Sequence, residues 1–104
     1  MVKTALIFPG QGAQFEGMGN DNLNNSKFAN DIYESANEIL EYNIKDICCN
    51  SSIEELSNTK HAQPAIFIYS ILSFQSIKNI NYDAVAGHSL GEISALTVSK
   101  SINI

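Results

Sequence analysis

The sequence contains no arginine, and its six lysines stand against eleven acidic residues, which gives a formal net charge of −5. Proteins that bind nucleic acid take most of their affinity from a clustered basic surface. The acidic balance therefore argues against a nucleic-acid partner. Charged residues make up only 16% of the chain and hydrophobic residues 44%. That composition excludes an intrinsically disordered segment.

Long hydrophobic runs are also missing. No uncharged apolar run approaches the ~20 residues that a helix needs to cross a bilayer, so we expect no transmembrane helix. The opening MVKTALIFPG has one lysine and a short apolar stretch, and no small-residue cleavage site follows it. A secretory signal is therefore not expected. The sequence predicts a cytoplasmic protein with no membrane partner.

Cysteine is scarce, and the two that occur, Cys48 and Cys49, are adjacent. Neighbouring cysteines rarely form a structural disulfide, and reduced thiols are the ordinary state in the cytosol. A metal or redox site would require CxxC spacing or nearby histidines, and neither is present. We expect no metal and no cofactor.

Two short apolar segments have the character of strands: residues 4–8 (TALIF), which stop at Pro9, and residues 84–86 (AVA). Short continuous apolar runs are typical of strands buried on both faces of a parallel sheet. The order strand, helices, strand, helix predicts an α/β fold with a parallel sheet flanked by helices. Two strands do not make a complete sheet. We therefore interpret residues 1–104 as the N-terminal part of a larger enzyme domain.

The segments between and after the strands predict a loop and four helices. Residues 10–19 carry four glycines and are expected to form the loop. The first helix should begin after Asn25 or Ser26 and end at Asn43, and a Ser-x-x-Glu capping box at Ser52 predicts a short second one. Apolar residues expected on one side of the first helix are Phe28, Ile32, Tyr33, Ala36, Ile39 and Leu40.

The third helix is expected to open at Gln63-Pro64, since proline is tolerated in a first turn, and to run to Ile77. It is apolar nearly all round, which predicts a central position in the fold. The last helix should run from Glu92 to about Lys100.

The sequence Gly87-His88-Ser89-Leu90-Gly91 lies between the second strand and the last helix. A GxSxG motif in this context is typical of a nucleophile elbow, in which the serine hydroxyl stands clear of the sheet edge. The two glycines let strand and helix pack closely beside it. The following helix N-terminus supplies amides and a positive dipole for an oxyanion. A tight glycine-rich turn without catalysis is the alternative.

Three motifs in this sequence together resemble those of a known enzyme family. GHSLGE at residues 87–92, FPGQGAQ at residues 8–14 and QPA at residues 63–65 resemble malonyl-CoA:acyl-carrier-protein transacylase, a pattern shared by acyltransferase domains of fatty-acid and polyketide synthases. The resemblance implies an α/β-hydrolase-like acyltransferase core. Members are normally about three times as long, in keeping with a fragment.

Site residues follow from the resemblance. Ser89 would be the nucleophile that carries the malonyl group, and the backbone amides of Gln11 and Leu90 would form the oxyanion hole. Gln63 and His88 are carried over as substrate-binding positions. For Gln63, a purely structural role at a helix start is an equal alternative.

The family's catalytic histidine, its carboxylate-binding arginine and its ferredoxin-like subdomain would lie beyond residue 104. His88 should point away from Ser89, and His61 is expected to be a partly exposed helix-start residue, so neither replaces the missing base. The chain alone is therefore expected to be inactive.

The expected function is transfer of malonyl from malonyl-CoA to the phosphopantetheine thiol of acyl carrier protein in fatty-acid biosynthesis. A serine hydrolase with the same elbow is an alternative, although FPGQGAQ differs from the HGGG-type loop of esterases. A truncated, non-catalytic remnant is another. The acyl specificity stays open. The start at Met1 favours a separate enzyme over a synthase domain.

Overall fold

The computed structural model describes residues 5–23, 27–76, 84–87 and 90–98. In chain order, these residues form β1 (Ala5–Phe8), α1 (Met18–Leu23), α2 (Lys27–Leu40), α3 (Ile44–Asn50), α4 (Ile53–Leu56), α5 (Thr59–Ser76), β2 (Ala84–Gly87) and α6 (Leu90–Val98).

The two strands pair in parallel, with Ala5 opposite Ala84 and Phe8 opposite Gly87. The predicted α/β architecture with a parallel sheet is confirmed, and the second strand extends one residue further than the sequence indicated. Because the strands are parallel and in this register, their carboxyl ends lie at the same edge of the sheet.

Helix α2 ends earlier than predicted. It stops at Leu40, and Glu41 has φ 64°, a left-handed conformation that turns the chain away from the helix axis. Asn43 instead caps the next helix, α3, because its side-chain oxygen accepts a hydrogen bond from the Asp46 amide at 3.0 Å. Helix α3 was not predicted from the sequence. The predicted caps Asn25 and Ser26 lie outside the described residues.

The buried side of α2 is narrower than the predicted apolar stripe. Tyr33 and Ala29 are buried, and Ile32, Ala36 and Leu40 pack beside them. Phe28 and Ile39, also expected on the core side, are 46% and 81% exposed. The two residues lie at the margins of the stripe, beyond what the neighbouring helices cover.

Helix α1 begins at Met18, within the glycine-rich segment that was expected to form a loop up to Gly19. Met18 is buried in the core, which favours a helical turn over a solvated loop. A Cβ on residue 19 would lie 2.8 Å from the Cys48 Cβ and 2.9 Å from the Cys49 Sγ. Glycine therefore lets α1 approach α3 closely.

The N-cap hydrogen bond of the capping box predicted at Ser52 is confirmed. The Ser52 hydroxyl accepts a hydrogen bond from the Glu55 amide at 3.3 Å, as expected for the N-cap of α4. The Glu55 carboxylate lies 3.3 Å from His61 Nδ1, so it faces the start of α5.

Helix α5 begins at Thr59, and Pro64 lies inside it, so the predicted start at Gln63-Pro64 was wrong. Pro64 has no N–H to donate to the carbonyl four residues earlier, that of Lys60. The Tyr42 hydroxyl donates to this carbonyl at 2.8 Å. A partner from outside the helix therefore satisfies the acceptor that proline leaves free.

The central position of α5 is confirmed, since it contributes to both apolar cores. One core, formed mainly by helices, buries Met18, Ala29, Tyr33, Ile44, Cys48, Leu56, Ala65, Ile66, Ile68 and Leu72. The other lies between the sheet and α5 and α6, and buries Phe8, Ile71, Ala95 and Val98. Helix α6 begins at Leu90, two residues earlier than predicted. None of the described helices is both long and apolar enough to span a membrane.

Candidate functional site

The loops that carry the FPGQGAQ and GHSLGE motifs leave the sheet at the same edge. Residues 10–14, here called loop 10–14, follow β1 after Phe8 and Pro9. Residues 88 and 89 connect Gly87, the last residue of β2, to Leu90, the first residue of α6. Phe8 and Gly87 are partners in the parallel register. The sheet therefore brings both motifs together, as the nucleophile-elbow prediction requires.

Gly91 shows how closely α6 approaches β1. A Cβ on residue 91 would overlap the Phe8 carbonyl oxygen, and it would lie 2.7 Å from the Phe8 carbonyl carbon and 3.0 Å from the Pro9 carbonyl oxygen. The opposing atoms belong to the backbone, which cannot give way as a flexible side chain can. Only glycine fits at this position, so the second glycine of GxSxG packs the helix N-terminus against the start of the other loop.

Loop 10–14 is fastened to the α4–α5 junction by two glutamine side chains. Gln11 Nε2 donates to Thr59 Oγ1 at 3.2 Å, and Gln14 Nε2 donates to Ser57 Oγ at 3.2 Å. The Gln14 side-chain oxygen also accepts from the Gly12 amide at 2.8 Å. Gly12 has φ 109°, which side chains other than glycine's rarely allow. The loop conformation is thus defined by its own backbone and by its contacts with the helices.

Two further contacts hold the chain just after this loop. Glu16 Oε1 accepts from the Ile53 amide at 2.7 Å, at the N-terminus of α4, where a carboxylate is favoured by the helix dipole. The Phe15 and Tyr69 rings meet edge to face, with centroids 5.4 Å apart. Residues 10–16 therefore lie across the helices that follow them.

The structure describes the positions of some of the predicted site residues but not of all of them. Gln11 lies in loop 10–14 with an exposed side chain. Leu90 begins α6 and packs partly against the helical core. Amides in the first turn of a helix have no partner within the helix, so the Leu90 N–H has the character expected of an oxyanion donor. Ser89 and His88 lie outside the described residues, and their roles stay predictions.

Gln63 is exposed on α5, four residues after Thr59. Residues four apart share a face of a helix, so Gln63 follows the residue that binds Gln11 along the same side of α5. This location is compatible with a substrate-binding position, which stays a prediction.

His61 differs from expectation, because it is buried at 7% exposure and not a partly exposed residue. Its Nδ1 lies 3.0 Å from the Glu55 carbonyl oxygen, which can only accept, so this nitrogen carries the proton. The imidazole also meets the Tyr42 ring edge to face, with centroids 5.2 Å apart. His61 thus joins α4, α5 and the α2–α3 turn, which is a structural role.

The cysteines are poorly suited to nucleophilic chemistry. Burial raises the pKa of Cys48 to about 12, and burial likewise raises the pKa of Cys49. A thiol is reactive as the thiolate, so both thiols are held in the unreactive form at neutral pH. Within the described ranges, no cluster of histidine, cysteine and carboxylate side chains could hold a metal ion.

Sequence reasoning missed Ser57 and Thr59, the hydroxyl residues that hold loop 10–14. Their contacts with Gln14 and Gln11 span 43 and 48 residues of sequence. In the sequence alone, two hydroxyl residues before a predicted helix indicate only helix caps.

Comparison with known proteins agrees with this geometry. Residues 5–104 match the acyl transferase domain family. The malonyl CoA-acyl carrier protein transacylase of Staphylococcus aureus is 41% identical over 99 residues, which are 95% of this chain and 32% of that protein. The protein of the same name from Bacillus subtilis is 39% identical over 99 residues, covering 92% of this chain and 25% of that protein.

Solved structures give the same result. The malonyl-CoA:ACP transacylase of Synechocystis superposes with a TM-score of 0.81 at 39% identity, over 91% of this chain and 32% of that one. The transacylase of Clostridium perfringens superposes with a TM-score of 0.85 at 31% identity, over 98% and 33%. The chain thus spans about a quarter to a third of the length of these relatives. With the family match over residues 5–104 and the shared fold, the chain belongs to the acyl transferase domain family.

Proposed function

We propose that this chain forms the nucleophile-bearing part of an acyltransferase, which moves a malonyl group from malonyl-CoA to the phosphopantetheine thiol of acyl carrier protein in fatty-acid biosynthesis. Ser89 is the nucleophile, and the amides of Gln11 and Leu90 stabilise the oxyanion. The packing of Gly91 on the Phe8 carbonyl carries the proposal, because it holds the start of α6 against the start of loop 10–14.

The reaction takes two acyl transfers. The Ser89 hydroxyl attacks the thioester carbonyl of malonyl-CoA and gives its proton to a base. The tetrahedral oxyanion collapses, the C–S bond breaks, and coenzyme A leaves as the thiol. The thiol of acyl carrier protein then attacks the malonyl-serine ester and restores the Ser89 hydroxyl. By family resemblance, the base is a histidine from the part of the domain that this chain does not contain.

This chemistry requires no metal and no redox cofactor, since serine and backbone amides carry it. We accordingly propose a cytoplasmic enzyme whose small-molecule substrate is malonyl-CoA and whose protein partner is acyl carrier protein. The names of the relatives support acyl transfer to a carrier protein over transfer to water.

Replacing Ser89 with alanine in a catalytically complete protein tests the nucleophile. The protein we suggest is a chimera in which this chain replaces the matching third of the Staphylococcus aureus transacylase. After mixing with malonyl-CoA, mass spectrometry should detect a malonyl adduct on the chimera and none on its Ser89→Ala variant, because the ester needs the serine oxygen. The Cys49→Ala variant is the matched control and should keep the adduct. A malonyl adduct on the alanine variant would rule out Ser89.

The Gln11→Ala variant of the chimera tests whether the backbone amide is the oxyanion donor. Removing a side-chain donor costs about 10²–10³-fold in rate. Alanine keeps the amide and loses only the hydrogen bond to Thr59, so we expect a smaller loss in kcat. Thr59→Val removes the same hydrogen bond from the other side and should cost a similar amount. A loss well above 10³-fold for Gln11→Ala alone would show that the Gln11 side chain acts in the chemistry.

A further inference from the structure

Residues 10–13 form a tight turn at the start of loop 10–14. The Ala13 amide donates to the Gly10 carbonyl at 3.3 Å, and Gly12 has φ 109°. A positive φ at the third residue is characteristic of a type II turn. In a type I turn, the peptide between residues 11 and 12 is rotated by about 150°, so the Gly12 N–H would point in nearly the opposite direction.

The Gln14 side chain favours the first of these two turns. Its Oε1 accepts a hydrogen bond from the Gly12 amide at 2.8 Å, and this bond is lost when the peptide rotates. Its Nε2 donates to Ser57 Oγ at 3.2 Å. Because the nitrogen of the side-chain amide is held by Ser57, its oxygen is directed at Gly12. One half-buried glutamine thus connects the backbone of the turn to the end of α4.

Ser57 is a firm support for this contact. Its backbone amide donates to the Ile53 carbonyl at 2.8 Å, which closes the single turn of α4. The preceding residue, Leu56, is fully buried in the helical core. The hydroxyl that holds Gln14 therefore belongs to a packed part of the chain, and its position does not depend on loop 10–14.

The turn leaves one amide for the substrate. The Gly12 and Ala13 amides are bound within loop 10–14, whereas within the described part of the chain the Gln11 amide has no hydrogen-bond partner. A donor accelerates acyl transfer when it is held in place before the oxyanion forms. A turn that changes between types would leave the Gln11 amide without a fixed position, so the group that fixes the turn also bears on the reaction.

We propose that Gln14 is a positioning residue for acyl transfer. Its side chain, held by Ser57, keeps residues 10–13 in the type II turn that directs the Gln11 amide at the oxyanion. The inference rests on the proposed function, since it takes this amide as an oxyanion donor. The Gln11 side chain has a smaller part, because its bond to Thr59 holds a side chain and not the backbone of the turn.

The variants Gln14→Ala and Gln11→Ala of the chimera form a matched pair. Each removes a side chain that donates to a hydroxyl of the α4–α5 junction at 3.2 Å, but only Gln14→Ala frees the Gly12 amide. We expect Gln14→Ala to lower kcat about 10- to 100-fold and to change KM for malonyl-CoA less than about threefold, because a donor acts on the transition state. Gln11→Ala should cost less. An unchanged kcat for Gln14→Ala, or a loss confined to KM, overturns the proposal.

Ser57 variants test whether Gln14 acts through this hydroxyl. Ser57→Ala should lower kcat about 3- to 10-fold, in keeping with one lost hydrogen bond, and Ser57→Thr should retain the activity because it keeps the hydroxyl. In the Gln14→Ala background, Ser57→Ala should have no further effect, since its partner is already absent. Losses that simply multiply in the double variant would show that Gln14 does not act through Ser57.

Glu16→Ala separates positioning from general support of α4. Glu16 accepts from the Ile53 amide at the other end of this helix, and within the described residues it has no hydrogen bond to the turn. Its loss should lower the urea midpoint about as much as Gln14→Ala does but lower kcat less than about threefold. Hydrogen exchange of residues 10–14 should become faster in Gln14→Ala alone. Equal effects of the two variants on kcat and on exchange would make the role of Gln14 merely structural.

The chemistry of Ser89 is scored in the same experiment by mass spectrometry. A chimera that carries no malonyl group on Ser89 would refute the proposed function, and the positioning role in catalysis with it. A chimera that carries the adduct and forms it at the same rate after Gln14→Ala would refute the positioning role alone. The two failures are therefore distinguishable.

Discussion

At the scale of single residues, the close packing of α6 against β1 depends on the absence of a side chain at Gly91. The Phe8 carbonyl occupies the space that any side chain would need, and the Pro9 carbonyl oxygen is only 3.0 Å from the same point. Because both neighbours are backbone, relief would require α6 to move away from β1. Such a shift would separate the Leu90 amide from loop 10–14.

Gly91→Ala should therefore be costly for stability and more so for activity. We expect a loss of about 1–3 kcal/mol in the free energy of unfolding of the chimera, the usual cost of overpacking, and a fall in kcat beyond what that loss explains. Urea unfolding and a malonyl-transfer assay measure the two effects. Ile93→Ala, at a half-exposed position on the same helix, should change both far less. An alanine variant with normal stability and turnover would show that α6 can move away from β1 without loss of stability or activity.

At the scale of secondary-structure elements, α5 shows how a proline is accommodated inside a helix. Pro64 leaves the Lys60 carbonyl without its usual donor, and the Tyr42 hydroxyl replaces it at 2.8 Å. The Tyr42 ring also lies 5.2 Å from the Lys60 ammonium group and meets the ring of His61. The turn between α2 and α3 thereby supports the first turns of α5, to which loop 10–14 is bound.

A double-mutant cycle tests this compensation. Tyr42→Phe keeps the ring and removes the hydroxyl, so we expect the chimera to lose about 0.5–1.5 kcal/mol of stability. In a Pro64→Ala background, the alanine N–H can donate to the Lys60 carbonyl, and the same substitution should cost less. The difference between the two losses, measured by urea unfolding, is the coupling energy. Equal losses in both backgrounds would mean that the hydroxyl does not compensate for proline.

The elements that the sequence predicted are those with a strong local signal. Both strands and α2 follow from their apolar patterns, and the cap at Ser52 follows from its motif. The start of α5 does not, because proline is a common first-turn residue and the Tyr42 hydroxyl, 18 residues from Lys60, is invisible to local reasoning. Helix α1 was missed for a similar reason. The four glycines of residues 10–19 indicate a loop, yet the last of them, Gly19, lies in α1 and is required by contact with Cys48.

Part of the candidate site was also predictable, because it follows from the local apolar pattern of the two strands. The parallel order of β1 and β2 dictates that both motifs meet at one edge, and this could be inferred from the strand pattern alone. The attachment of loop 10–14 to Ser57 and Thr59 could not, because it joins segments more than 40 residues apart by side-chain hydrogen bonds.

At the scale of the whole molecule, net charge limits which surfaces this chain contributes. Acyl carrier proteins are acidic, so a complementary docking surface should be basic. A segment with six lysines against eleven acidic residues is poorly suited to provide most of that surface. The proposed function therefore requires the remainder of the domain to supply that surface, along with the base and the site for the malonyl carboxylate.

The whole molecule also bears on how this chain should behave alone. The side chains of Ile7 and Ile39, 78% and 81% exposed, leave apolar surface in water, which promotes association. A serine hydroxyl is a weak nucleophile without a base to take its proton. In a serine protease, removing the histidine of the triad costs about 10⁶-fold in rate. The oxyanion amides would retain a little catalysis, since Thr59 and Ser57, which hold loop 10–14, belong to this chain.

The isolated 104-residue chain should therefore be a weakly stable, self-associating protein with negligible transfer activity. Sedimentation velocity over a concentration series should show mass increasing with concentration, and thermal unfolding should lack a sharp cooperative transition. Malonylation of acyl carrier protein should stay near the rate without enzyme, because no base is available to take the serine proton. A stable monomer turning over at about 1–10³ per second on its own would contradict this expectation. It would mean that the base lies within these residues, and His61 and His88 would be the candidates to replace in turn.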